Sequence, residues 1–312
     1  MIYKLIKKMD LNYEEILEKV KEIAIKAGET IKEAFNSREI INTSIEIKDS
    51  NTTDLVTEVD KNVEKIVFNS LKELYPNFKL IGEETVSSSE SKKIILTDSP
   101  TWIIDPVDGT TNFVHGFPFV CISIGLIVKK EPMLGIIFNP ILNEMYWGIK
   151  NKGSYLNGKK LPLIKNTPII SLKKTLFVIE YGVFFGQEKL NKIIENVSQM
   201  LSIPVHGMRC LGSTALDIMQ VAKGGADFFF SVGFHAWDVA AAKVILSESG
   251  GVMVGYRRPK DLTENILIAD EPYDICQRKV LCMRGTIEGK EFQSKILKEI
   301  RDILIDIDFE SG

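Results

Sequence analysis

Apolar residues recur at helical spacing early in the chain. Ile16, Val20, Ile23, Ala27, Ile31 and Ala34 share one face, and Asn12 with Glu15 three positions on reads as a capping box. This predicts an amphipathic helix running to about Phe35. A second helix is predicted after Asp60, with Val63, Ile66, Val67 and Leu74 as its buried stripe and Pro76 as its stop. From residue 79 the pattern shortens to strand-like runs, KLIG, KIILT, TWIID, VCISIGLIV, MLGIIFN and NEMYWGI, divided by Gly, Pro and Asn. Strands so closely spaced predict a largely antiparallel or mixed sheet. Asn157-Gly158 marks a tight turn, and the polar segment 159–174 is the predicted boundary. It divides an N-terminal α+β part (1–160), which carries the acidic motifs, from a C-terminal α/β part (161–312) that completes the site. The second half alternates strand-like runs, TLFVIEYG, ADFFFSV, ILIAD and KVLCMRG, with helical segments at 189–201, 213–222, 239–249 and 292–305. That alternation belongs to an α/β fold with helices covering sheet faces. The triple Phe228, Phe229 and Phe230 suits either core or interface.

Composition narrows the function more by exclusion than by pointing. The 312 residues are 45% hydrophobic, enough for a large core. A net charge of -3 from 39 basic and 42 acidic residues gives no field for nucleic acid or an anionic membrane. The apolar stretch 117–128 contains Pro118, Ser123 and Gly125 and falls short of the ~20 residues that span a bilayer. The opening MIYKLIKKM lacks a continuous apolar run and a cleavage site, so a cytoplasmic location is expected. Cys121, Cys210, Cys276 and Cys282 form no CxxC pair and are expected to be buried free thiols. His115, His206 and His235 are scattered, so any metal site here is built from oxygen ligands.

The segment WIIDPVDGTTNF runs from apolar Trp102, Ile103 and Ile104 into two carboxylates, Asp105 and Asp108. Asp-Pro-Val-Asp suits a type I turn, and Asp108-Gly109 is a common turn pair. A turn needs only one aspartate, however, and the GTTN that follows offers backbone N–H groups and hydroxyls that can open a helix. The alternative is a hard-cation site beside a phosphate cradle. Mg²⁺ takes oxygen ligands at roughly 2.1 Å and keeps several waters, so a few convergent carboxylates suffice. Two more acidic segments have this character. KLIGEET ends a strand-like run at Glu83-Glu84, and Asp238 follows Trp237 at the start of a helical stripe. Taken singly, the first also reads as a solvated loop and the second as a helix cap.

IGEE, WIIDPVDGTTNFVHGFP and WDVAAAKVILSESGG, in this order, resemble the signature segments of the inositol monophosphatase family of Mg²⁺-dependent, lithium-sensitive sugar phosphatases. DLVTEVD and VHGMRCLGSTALD match as well, so the likeness spans roughly residues 11 to 285. The resemblance implies the layered α-β-α-β-α sandwich of these phosphatases, with mixed and antiparallel sheets, and two or three Mg²⁺ ions. It implies that Glu83, Asp105 and the Val107 carbonyl bind a first ion, and that Asp105 bridges to a second completed by Asp108 and Asp238. Asp60 and Thr110 would flank the attacking water, with Glu83 beside them at the catalytic ion. Gly109 and Thr110 N–H groups would hold the phosphate, and Lys48 matches a lysine on a mobile loop near a further metal position. Asp108, Gly212, Ser213 and Ser231 complete the implied substrate contacts, and Asp54 would support the loop. A homodimer acting on a small phosphorylated polyol, in inositol metabolism and signalling, is the implied context.

Metals address both difficulties of a phosphate monoester, a weak nucleophile and a basic leaving oxygen. No GxSxG elbow supplies a nucleophile, so direct attack by water without a phosphoenzyme is predicted. Substrate selection is where the sequence departs. In animal members a glutamate that binds inositol hydroxyls lies six positions before the WD tryptophan, where this chain has Ser231; a substrate-touching serine falls near Val183. Asp227 and Glu180 lie nearby but not at the matching positions. Lys48 is one residue further from DLVT than in the animal pattern. The leading expectation is hydrolysis of myo-inositol 1-phosphate. The alternatives are another phosphatase of the superfamily, acting on another sugar phosphate, phosphoadenosine nucleotide or fructose 1,6-bisphosphate, and a mainly non-catalytic binding partner.

Overall fold

The computed structural model describes residues 11–37, 46–47, 55–56, 58–89, 94–164, 168–169, 171–181, 186–257, 268–270, 273–305 and 307. Lys48, Asp54 and Val183 lie outside them.

Helix α1 (Tyr13–Asn36) opens as its sequence requires, with the Asn12 side chain accepting the Glu15 N–H at 3.3 Å. Only half of the expected capping box forms, because the Glu15 carboxylate pairs with Lys19 instead. The short strands β1 (Glu46–Ile47) and β2 (Leu55–Val56) pair antiparallel. Helix α2 (Glu58–Leu74) starts two residues before Asp60 and buries Asp60, Val63, Glu64, Val67 and Leu71. Leu71 takes the stripe position expected of Leu74, which is exposed at the last turn.

Seven strands follow in one sheet, ordered β3 (Lys79–Gly82), β4 (Thr101–Asp108), β5 (Cys121–Val128), β6 (Glu131–Asn139), β7 (Glu144–Ile149), β8 (Gly153–Leu156) and β9 (Lys159–Lys160). The β3–β4 pair is parallel and every other neighbour antiparallel. Helix α3 (Glu83–Ser87) leaves the end of β3, and α4 (Thr110–His115) the end of β4. The run KIILT forms no strand over its described residues 94–97. β3 takes the place beside β4, so this run has no ladder to join, and Ile95 is left exposed.

The second sheet has the order β11-β10-β12-β15-β13-β14 and is mixed. It comprises β10 (Leu176–Glu180), β11 (Gly207–Arg209), β12 (Phe228–Val232), β13 (Val252–Arg257), β14 (Ile268–Asp270) and β15 (Lys279–Met283). β10 is parallel to both β11 and β12, and the other pairs are antiparallel. Its helices are α5 (Gln187–Ser202), α6 (Thr214–Ala222), α7 (Ala236–Glu248) and α8 (Lys290–Ile303).

Alternation along the strands sorts these elements into five layers. Trp102 and Ile104 of β4 face α1 and α2, together with Val20, Ile31, Val63 and Val67. Ile103 faces the other way, where α6 and α7 lie between the two sheets with Val178, Phe229 and Cys282 of the second. Phe228 and Phe230 point to the far side, against Met200 of α5 and Ile296 and Ile300 of α8. The phenylalanine triple is therefore core on two faces. α7 is buried almost all round, as a helix sandwiched by two sheets must be. Its approach to the first sheet is close: a Cβ on Gly135 would overlap the Ala241 carbonyl oxygen and lie 2.8 Å from its Cα.

Candidate active site

Strand β4 carries its apolar residues straight into the acidic pair without turning. Asp105 and Asp108 both belong to the strand, and the ladder with β5 shifts register between them. In a regular strand, residues three apart face opposite sides; a bulge re-aims one of them. Here Val107 enters the core with α1 and α2, while Asp105 and Asp108 converge on the inner layer. The expected type I turn is replaced by this bulge. After it, Gly109 takes φ 91°, and its missing Cβ leaves room for the Phe119 carbonyl oxygen, which would lie 2.8 Å from one. α4 then opens with its first N–H groups unpaired within the helix, and the Thr110 hydroxyl donates to the Val107 carbonyl oxygen at 3.0 Å.

The third carboxylate arrives on α7. Its cap is His235 rather than Asp238, which sits three residues in and accepts the His235 N–H at 2.7 Å. One carboxylate oxygen from each of Asp105, Asp108 and Asp238 lies within 4.8 Å of the others. All three ionise reluctantly. Burial and then the charges of Glu83, Asp108 and Asp238 push Asp105 well above the ordinary range. Burial carries Asp238 up to about 8 despite its hydrogen bonds from Asp105 and His235. Burial likewise raises Asp108 to about 6, against the pull of Ser213 and Ala215, which both donate to its Oδ2 at 2.7 Å. Asp105 Oδ1 is buried with no hydrogen-bond partner. Among the described residues, no lysine or arginine forms an ion pair with these three aspartates.

Glu83 begins α3, and its charge acts on all three aspartates. Asp60 is buried in the first turn of α2. Gly212 and Ser213 lie in the loop before α6. The Gly212 and Leu211 N–H groups donate to Glu180 at 2.6 and 2.7 Å, and the Ser213 hydroxyl is committed to Asp108. Ser231 is 2% exposed in β12, paired in register with Glu180 of β10. Alternation with Phe228 and Phe230 turns its hydroxyl towards the inner layer, where it is buried.

Several residues that organise the site went unread in the sequence. Asn112 donates to the Phe119 and Leu211 carbonyls at 2.9 and 2.7 Å, tying α4 to the 210–213 loop. Asp217 is fully buried on α6, where burial and Glu180 raise its pKa strongly. The sequence signal was present in TALDIMQVA, a lone acid in an apolar helix. Cys210, expected buried, is exposed and donates to Glu180 at 3.3 Å; all four cysteines are free.

The chain matches the model of the inositol monophosphatase family over residues 12–304. It is 40% identical over 298 residues to inositol monophosphatase 1 of Bos taurus, covering 96% of this chain and 98% of the relative. Among solved structures it is similar to the extragenic suppressor protein suhB from Bartonella henselae. That likeness has a TM-score of 0.72 at 25% identity and covers 92% of this chain and 98% of the other. The inositol monophosphatase from Anabaena (Nostoc) sp. PCC 7120 is similar as well, with a TM-score of 0.69, 26% identity, and 93% and 97% coverage.

Proposed function

Because this chain belongs to the inositol monophosphatase family, a family of metal-dependent phosphatases, we propose that it hydrolyses a phosphate monoester, myo-inositol 1-phosphate, with Mg²⁺ as cofactor. The observation that carries the reading is the buried trio Asp105, Asp108 and Asp238, with Asp105 Oδ1 unpartnered. Three carboxylates this close and this buried repel one another, and Asp105 Oδ1 lacks the donor that burial demands, so the donor set fits a hard divalent cation. Glu83, Asp105, Asp108, Asp238 and the Val107 carbonyl would hold two ions. The Val107 oxygen has a second lone pair beyond the one that Thr110 uses. Bound there, Mg²⁺ supplies a water of lowered pKa and neutralises charge on the leaving oxygen.

The remaining work falls to the chain itself. Asp60 and the Thr110 hydroxyl orient the attacking water, and the Gly109 and Thr110 N–H groups at the start of α4 hold the phosphate oxygens. The Gly212–Ser213 loop closes the site from the second sheet and borders the polyol. The free cysteines support a reducing, cytoplasmic location, and membership of the family is what supports a homodimer. In heavy-oxygen water, the released phosphate should gain one label and the protein none of the phosphoryl group. Phosphoprotein trapped during turnover would replace direct attack by water with a covalent route.

A further inference from the structure

We infer that Glu64 is a positioning residue: it locks the helix that carries Asp60 to the segment that carries Glu83, and so sets these two groups at a fixed separation. The inference rests on the metal-site reading above.

Glu64 lies one helical turn after Asp60, so both project from one face of α2, and both are buried. Its carboxylate does not serve its own helix. Oε2 accepts the Glu84 N–H at 2.9 Å, and Oε1 accepts the Thr85 N–H at 3.0 Å as well as the Thr85 hydroxyl. Those N–H groups belong to the first turn of α3, where a helix has no internal acceptors. The residue that would normally cap α3 is Gly82, which has no side chain and makes no cap bond. A Cβ there would overlap Glu64 Oε2 and sit 2.6 Å from its Cδ. The glycine of IGEE thus opens the space through which a cap from another helix enters.

The linkage is stiff for a physical reason. A buried carboxylate stripped of its donors is costly, so α3 cannot drift from α2 without leaving Glu64 unsatisfied. α3 begins at Glu83, and Glu64 therefore acts on the metal ligand through the backbone rather than by touching an ion. A cap supplied from within the α3 segment would have stabilised that helix equally well and left Asp60 and Glu83 free to move apart.

The test is calorimetric titration of Mg²⁺ into the full chain, with kcat and substrate KM measured in parallel, for wild type, Glu64→Gln, Thr85→Val and Thr85→Ser. Glutamine turns an amide NH₂ towards donors, and valine removes the hydroxyl while keeping its shape. In Glu64→Gln, Mg²⁺ affinity should fall about 10-fold or more, the lower end of what supporting residues contribute to metal sites, and kcat should fall with it. Substrate KM should stay within about twofold. Thr85→Val should give a smaller loss in the same direction, and Thr85→Ser should restore it. If Glu64→Gln fails to fold, the Thr85 pair decides. Mg²⁺ affinity and kcat unchanged in folded Glu64→Gln or Thr85→Val, even with a lowered Tm, would overturn the inference. A wild type that binds no Mg²⁺ would instead remove the metal-site reading, and the positioning role with it.

Discussion

Ser213 donates its hydroxyl to Asp108 Oδ2 at 2.7 Å, joining residues 105 positions apart and stitching the end of β4 to the start of α6. The Ala215 N–H reaches the same oxygen, so Oδ1 is the one a cation can take. The bond also favours the charged form of Asp108. Ser213→Ala should therefore raise the Asp108 pKa, lower Mg²⁺ affinity by about 10-fold and move the acid limb of the pH–rate profile to higher pH. An unmoved acid limb would show that the serine supports only the helix.

Asp105→Asn removes a carboxylate on which Glu83, Asp108 and Asp238 all act. Activity should drop by well over the roughly 10- to 100-fold that a lost supporting residue costs a metal site. Metal-free stability should hold or rise, because the substitution removes the repulsion that Glu83, Asp108 and Asp238 exert on Asp105. Near-normal turnover would refute the bridging role, and a collapsed Tm would contradict the account of repulsion.

Stability should depend on pH in opposite ways with and without metal. In the chelated protein, Asp238 titrates at about 8 and Asp108 at about 6, both above the unfolded value of 3.8. The folded state then holds more protons than the unfolded one between 3.8 and these values, so stability falls as pH rises through that window. Mg²⁺ competes with those protons, and its stabilisation should be greater at pH 8 than at pH 5. Thermal melts in EDTA and in Mg²⁺ at both pH values check this; a metal-free protein more stable at pH 8 would contradict it.

The fold bears on the site through Gly135. Adding a methyl group there drives into Ala241 of α7, the helix that brings Asp238 to the first sheet. Gly135→Ala should cost about 1 to 3 kcal/mol by overpacking and reduce kcat as Asp238 is displaced. Denaturant melts and steady-state rates on the same preparation test both; lost stability with full activity would show that α7 yields elsewhere.

Much of this was legible in the sequence because the periodicities that fold the chain are local. The α1 stripe, the run of antiparallel strands and the three acidic segments could each be read from neighbours. What escaped depends on contacts between segments far apart. Nothing in WIIDPVD says that a bulge rather than a turn aims the two carboxylates together, since that follows from pairing with β5. KIILT has a strand's composition but no partner, and composition cannot report partners. Glu64 reads as one more acid on a charged helix until α3 is laid against it. Glu180 lies off the matching position in the sequence, yet it anchors the 210–213 loop through two backbone N–H groups.

The central claim is Mg²⁺-dependent hydrolysis of an inositol phosphate by water. Its most direct test is phosphate release from myo-inositol 1-phosphate, glycerol phosphate, phosphoadenosine nucleotide and fructose 1,6-bisphosphate, each with Mg²⁺, with EDTA and with added lithium. The account predicts release that requires Mg²⁺, is suppressed by lithium and has its highest kcat/KM on inositol 1-phosphate. A higher kcat/KM on another member of the panel would keep the reaction and change the substrate, as Ser231 in place of a glutamate allows. No release from any of them in Mg²⁺ would contradict the account.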